Sequence, residues 1–179
     1  MQSVTVNNLV FDEYLSKEEI ATLVAQVAER INTDYAGREP LFVCVLNGAF
    51  MYASDLLKHI TLPAEITFVR LKSYEGTATT GKVNMLIPLQ VPIQDRDIII
   101  VEDIVDTGLT MVHMLEMLRE KNPKSIDVCT LLLKPSKLKV ELDVRYCCME
   151  IPNDFIVGCG LDYDGVGRNT RDIYTVISE

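Results

Sequence analysis

Apolar and polar positions run along this chain in blocks whose period switches between helix-like and strand-like, and each switch marks an element. Ile20, Leu23, Val24, Val27, Ala28 and Ile31 recur at spacings of three and four, which puts them on one face of a helix. Ser16-Lys17-Glu18-Glu19 ahead of them is a capping-box pattern, and Gly37 and Pro40 end the element. Leu41 to Leu46 is an unbroken apolar run that predicts a buried strand; Asn47-Gly48 breaks it, and Ala49 to Ile60 predicts a helix. Glu65 to Leu71 is a further strand. Residues 72–82 then lose all periodicity in a stretch of small and hydroxylated residues containing Gly76 and Gly81, the signature of a mobile loop, and Val83 to Ile87 returns as the second arm of a hairpin ending at Pro88. Asp95-Arg96-Asp97 turns the chain into Ile98 to Val101, a β-branched run suited to a strand buried on both faces of a parallel sheet. Met111, Val112, Met114, Leu115 and Leu118 take helical spacing until Asn122-Pro123 stops it. Ser125 to Leu133 is the next strand, and Tyr146 to Gly158 contains two short strands around Pro152-Asn153-Asp154.

The order strand, acidic loop, helix around residues 98–118 is where chemistry concentrates. Glu102, Asp103 and Asp106 place three carboxylates directly after the buried run, and Thr107-Gly108-Leu109-Thr110 leads into the helix. In an open α/β sheet the ligand crevice lies beyond the carboxyl ends of the strands, where a helix N-terminus offers unpaired N–H groups to an anion. Gly108 lets main chain approach a phosphate, and Thr107 and Thr110 add hydroxyl donors. Carboxylates repel phosphate, so Glu102 and Asp103 beside such a cradle fit sugar hydroxyls or a hard cation such as Mg²⁺. Leu41 to Ile60 repeats the strand–glycine–helix pattern and offers a second anion-sized site at the same edge.

At 179 residues the chain is most simply one domain, globular throughout with 48% hydrophobic residues. A formal net charge of −9 argues against general nucleic-acid binding, which needs a basic face, but leaves room for a small phosphorylated ligand held by helix ends and Mg²⁺. Five cysteines, an odd number with no Cys-x-x-Cys spacing, lie mostly in apolar runs and read as reduced core thiols of a cytoplasmic protein. The start of the chain has neither the basic residues nor the apolar core of a signal peptide, and no apolar run reaches membrane-spanning length, so no membrane association is expected. With only His59 and His113, and no Gly-x-Ser-x-Gly elbow, hydrolase chemistry is poorly supported.

Val101-Glu102-Asp103-Ile104-Val105-Asp106-Thr107-Gly108-Leu109-Thr110 resembles the phosphoribosyl-diphosphate (PRPP) binding motif of type I phosphoribosyltransferases, most of all the form found in the hypoxanthine and hypoxanthine-guanine enzymes. The likeness runs from Leu46 to the terminal Val176-Ile177-Ser178-Glu179 without a large insertion. It implies an α/β fold with a mostly parallel central sheet flanked by helices. A single domain spans residues 1–179, with a small hood built from the N-terminal segment and roughly residues 135–179. Leu46, Asn47 and Gly48 match the pyrophosphate loop, with Asn47 where the family usually carries lysine or arginine, and the match implies a cis peptide after Leu46. Arg70-Leu71-Lys72-Ser73-Tyr74 resembles the start of the flexible lid, whose Ser73 and Tyr74 would close over the reacting centre and exclude water from a cation-like transition state. Lys134 matches the residue that bonds the exocyclic 6-oxygen of a purine. Within the pattern Glu150 to Gly158, Phe155 matches the aromatic that stacks on the base and Ile156 the residue that meets it through main chain. Asp162 matches an aspartate that helps hold Mg²⁺ through water near the base, and Arg168 an arginine on pyrophosphate.

The expected activity is purine salvage: transfer of the phosphoribosyl group from PRPP to N9 of hypoxanthine and guanine, giving the purine nucleotide and pyrophosphate with Mg²⁺ as cofactor. Thr107, Gly108, Leu109 and Thr110 cradle the 5′-phosphate, Glu102 and Asp103 hold ribose hydroxyls and metal, and Asp106 accepts the proton at purine N7. The partners are PRPP, a 6-oxopurine, product nucleotide and pyrophosphate, in a homodimer or homotetramer. Competing readings are a signalling receiver domain, which needs its acidic pair after the first strand, an RNA-binding regulator on the same fold, which the acidic charge disfavours, and xanthine or adenine preference within the enzyme class.

Overall fold

The computed structural model describes residues 3–72 and 84–177. Two sheets account for the strands. The larger has six, in the order β5 (Asn84–Ile87), β4 (Glu65–Lys72), β3 (Leu41–Leu46), β6 (Asp97–Val105), β7 (Ser125–Leu133) and β8 (Tyr146–Glu150). All its pairings are parallel except β4 with β5, which forms the hairpin arm. The smaller is a four-stranded antiparallel hood in the order β1 (Ser3–Val6), β2 (Leu9–Leu15), β10 (Ile173–Val176) and β9 (Ile156–Val157). The chain beyond residue 135 is therefore shared: β8 joins the large sheet, while β9 and β10 join the hood. The two short strands around Pro152-Asn153-Asp154 do not pair with each other, because each is claimed by a different sheet edge.

Helices α1 (Lys17–Asp34) and α2 (Phe50–Lys58) cover one face of the large sheet and α3 (Leu109–Arg119) the other. The β-branched runs sort by alternation. Phe42, Cys44, Ile99 and Val101 pack with Val24, Ile31 and Leu56. Leu41, Val43, Ile98 and Ile100 pack with Met111, Met114 and Leu118 on the opposite face. A strand with both faces covered has no polar face to show, which is why these runs read as continuous apolar stretches. The capping box at the start of α1 is formed as expected: Glu19 N–H donates to Ser16 Oγ at 3.3 Å and Ser16 N–H to Glu19 Oε2 at 2.9 Å.

The strand order reverses direction between β3 and β6. From β3 the chain crosses through α2 to β4 on one side; from β6 it crosses through α3 to β7 on the other. Such a switch point opens a crevice at the carboxyl ends of the two central strands. Pairing of β3 with β6 stops at Cys44 and Val101, whereas β6 stays paired with β7 up to Val105 and Leu133. Residues 102–105 thus extend past their neighbour on one side. Among the described residues no helix is long and apolar enough to cross a membrane. All five cysteines are free thiols, and burial pushes Cys44 up to about 12.

Candidate active site

The central strand runs longer than the apolar pattern predicts. Glu102 and Asp103 lie inside β6 rather than in a loop after it, held there by pairing with β7, and Asp106 is the first acid beyond the strand. Tertiary hydrogen bonding overrides the polar character of these two residues. Their main chain helps to anchor them: Asp103 N–H donates to Glu102 Oε1 at 3.1 Å, and Ile104 N–H to Asp103 Oδ1 at 2.8 Å. Burial pushes the Glu102 carboxyl well above its ordinary range, and the neighbouring Asp103 adds to the shift. Burial raises Asp103 as well, opposed by its hydrogen bonds and by the charge of Arg168. Two desolvated acids side by side are an arrangement that a hard cation or hydroxyl donors would relieve.

A cleft of about 180 Å³ opens over this edge, lined by Glu102, Asp103, Asp106, Thr107, Gly108 and Thr110, with Met111 beneath. Gly108 is the N-cap of α3 with φ of 78° and supplies no side-chain cap, and a helix N-terminus of this kind can offer first-turn N–H groups to a ligand. The closest side-chain approach is Thr107 Oγ1, which accepts from Leu109 N–H at a long 3.5 Å. A Cβ on Gly108 would meet Val140 Cγ2 at 2.9 Å, so packing from behind the loop also requires glycine.

The second strand–glycine–helix turn borders the same acids. The Leu46–Asn47 peptide is cis, Asn47 is exposed, and Gly48 packs so closely on Asp103 that an added Cβ would overlap its carboxylate. Gly48 carbonyl oxygen in turn occupies the space that a Cβ on Gly160 would take. Arg168 closes this corner, donating from Nη1 to Gly160 O at 2.6 Å and pairing through Nη2 with Asp162 Oδ1 at 2.6 Å. Gly48 and Arg168 are therefore brought together beside Asp103, with Leu46 and Asn47 next to Gly48 in the chain. Asp162 also accepts from Gly165 N–H at 2.7 Å, which engages its other oxygen inside the hood. Among the described residues, Glu102, Asp103 and Asp162 do not gather into a three-ligand metal group.

Beside the end of β6, Lys134 is buried at the end of β7, donating from Nζ to the Asp154 carbonyl at 2.7 Å, and burial lowers its pKa. Phe155 is 44% exposed and stands edge-on to Tyr163, with ring centroids 5.3 Å apart and planes at 89°. Ile156 is buried, in register with Thr175 of β10. Ser73 and Tyr74 lie outside the described residues. The sequence pattern missed Lys137, whose Nζ donates to Asp106 Oδ2 at 3.0 Å, and the bracing of Phe155 by Tyr163 and Phe11. The only hint of the first was a second lysine one turn after Lys134; nothing local marks the second.

A switch-point crevice that brings a helix N-terminus beside a desolvated acid pair is an arrangement suited to a ligand carrying both phosphate and hydroxyl groups. The phosphoribosyl transferase domain family matches residues 10–164. The hypoxanthine-guanine phosphoribosyltransferase of Streptococcus thermophilus is 40% identical over 155 residues, covering 86% of each chain. That of Mycobacterium tuberculosis is 40% identical over 169 residues, 90% of this chain and 84% of its own. A crystal structure of a hypoxanthine-guanine phosphoribosyltransferase from Bacillus anthracis superposes with a TM-score of 0.88 at 38% identity, over 93% of this chain and 97% of that one. The chain belongs to the hypoxanthine-guanine phosphoribosyltransferases of the type I phosphoribosyltransferase family.

Proposed function

We propose that this protein transfers the 5-phosphoribosyl group from PRPP to N9 of hypoxanthine and guanine in cytoplasmic purine salvage, working as a homodimer or homotetramer. The observation that carries the reading is the cleft at the end of β6, where the N-terminus of α3 shares one edge with a buried acid, Asp103, and a half-buried one, Glu102. The amides of Thr107 to Thr110 and the two threonine hydroxyls receive the 5′-phosphate, and Glu102 and Asp103 take the ribose hydroxyls. Leu46, Asn47, Gly48 and Arg168 border the place left for pyrophosphate. With Asn47 in the position of a cation, Arg168 carries the positive charge there. Mg²⁺, which the acid pair is suited to hold with ligand oxygens completing its shell, supplies neutralisation of the leaving pyrophosphate when bound.

Phe155 offers a ring for the base, and Lys134 offers N–H donors to its 6-oxygen. The amino group of adenine would face a donor with a donor, which a buried lysine penalises. As N9 bonds to C1′, the C1′–oxygen bond breaks and pyrophosphate leaves with the electron pair, while the N7 proton passes to the Asp106 carboxylate. The experiment is nucleotide formation from PRPP with each purine base, with and without Mg²⁺, for wild type and Asp106→Asn. General-base help of this kind is worth about 10²–10⁴ in rate, so the variant should lose turnover by that order. Undiminished turnover would remove Asp106 from this role.

A further inference from the structure

We infer that Lys137 is a positioning residue for this reaction: it sets the orientation of the Asp106 carboxylate and acts through it. The inference rests on the proton-acceptor role proposed for Asp106. Its Oδ2 accepts from Lys137 Nζ at 3.0 Å, while Oδ1 is buried and, among the described residues, receives no hydrogen bond. Lys137 Nζ is thus the one hydrogen-bond donor to this carboxylate among the described residues.

The main chain presets that contact from both sides. Lys134 N–H donates to Val105 O and Lys139 N–H donates to Thr107 O, each at 3.0 Å. These bonds join the residues on either side of Asp106 to a segment that brackets Lys137. Between them the chain makes a 3₁₀ turn, Pro135–Lys137, closed by Lys137 N–H donating to Lys134 O at 3.0 Å. Pro135 restricts the backbone of the turn from which Lys137 projects. An ion pair whose side chains are 36% and 40% exposed adds little stability, and its consequence here is geometric. Lys134 Nζ points instead to the Asp154 carbonyl, at 2.7 Å.

The test is a kinetic double-mutant cycle on the full chain with PRPP, hypoxanthine and Mg²⁺, using Lys137→Met, Asp106→Asn and the double variant, with Lys137→Arg as the conservative change. Lys137→Met should lower kcat by about tenfold with KM for PRPP within about twofold, and arginine should restore most of the loss. In the Asp106→Asn background Lys137→Met should cost nothing further, since residues that act as a unit are not additive. Three results would overturn the inference: wild-type kcat in Lys137→Met, an equal loss in both backgrounds, or a rise in KM for PRPP alone, which would make Lys137 a phosphate ligand. If Asp106→Asn itself turns over normally, the acceptor role is lost and the inference with it. A normal loss in Asp106→Asn with additive effects leaves that role standing and removes only Lys137.

Discussion

At Gly48 the chain has no room for a side chain, because an added Cβ would overlap the Asp103 carboxylate. Gly37, by contrast, has a left-handed backbone with nothing within 4 Å of the place a methyl group would take, so its glycine answers only to φ. Gly48→Ala should therefore destabilise by about 1–3 kcal/mol through overpacking and weaken PRPP binding, since the displaced groups border the proposed pyrophosphate position. Thermal unfolding together with KM for PRPP reads both effects. A variant with wild-type melting temperature and KM would show that this corner yields at no cost.

Among the elements, the central strand is anchored at its start by Asp97. Its Oδ1 accepts from Ser125 Oγ at 2.7 Å and its Oδ2 from Lys124 Nζ at 3.0 Å, with Arg38 at 3.6 Å. Burial works to raise this carboxyl, but the bonds from Ser125 and Lys124 and the charge of Arg38 outweigh it and hold it below the ordinary range. A carboxyl lowered in the folded state stabilises above its unfolded pKa, and that contribution disappears as pH falls through the folded value. Asp97→Asn should cost about 1 kcal/mol near neutral pH, a modest figure because Lys124 and Arg38 are largely solvated. The gap from wild type should close below about pH 4. Urea unfolding of both proteins across that range provides the measurement; a gap independent of pH would mean that the carboxylate charge plays no part.

For the molecule as a whole, a ligand that bridges the β6 edge and the hood should stabilise the folded state by mass action. At a hundredfold excess over Kd, IMP or GMP should add about 2.7 kcal/mol, read as a rise in melting temperature. Replacing Thr107 with Ala and Thr110 with Val should shrink that rise at the same nucleotide concentration. An undiminished rise would move the phosphate away from this turn.

What the amino-acid sequence determined by itself is whatever depends on near neighbours: the capping box at Ser16, the buried runs of β3 and β6, and the threonine–glycine turn that leads from the acids of β6 into α3. Each is legible because its cause lies within a dozen residues. Tertiary structure decided the extension of β6 through Glu102 and Asp103, the division of Tyr146–Glu150 and Ile156–Val157 between two sheets, and the meetings of Lys137 with Asp106 and of Gly48 with Asp103 and Gly160. The physical reason is that these depend on which strand edges pair and how two sheets close over one crevice, and those contacts join residues too distant in the chain for local pattern to record.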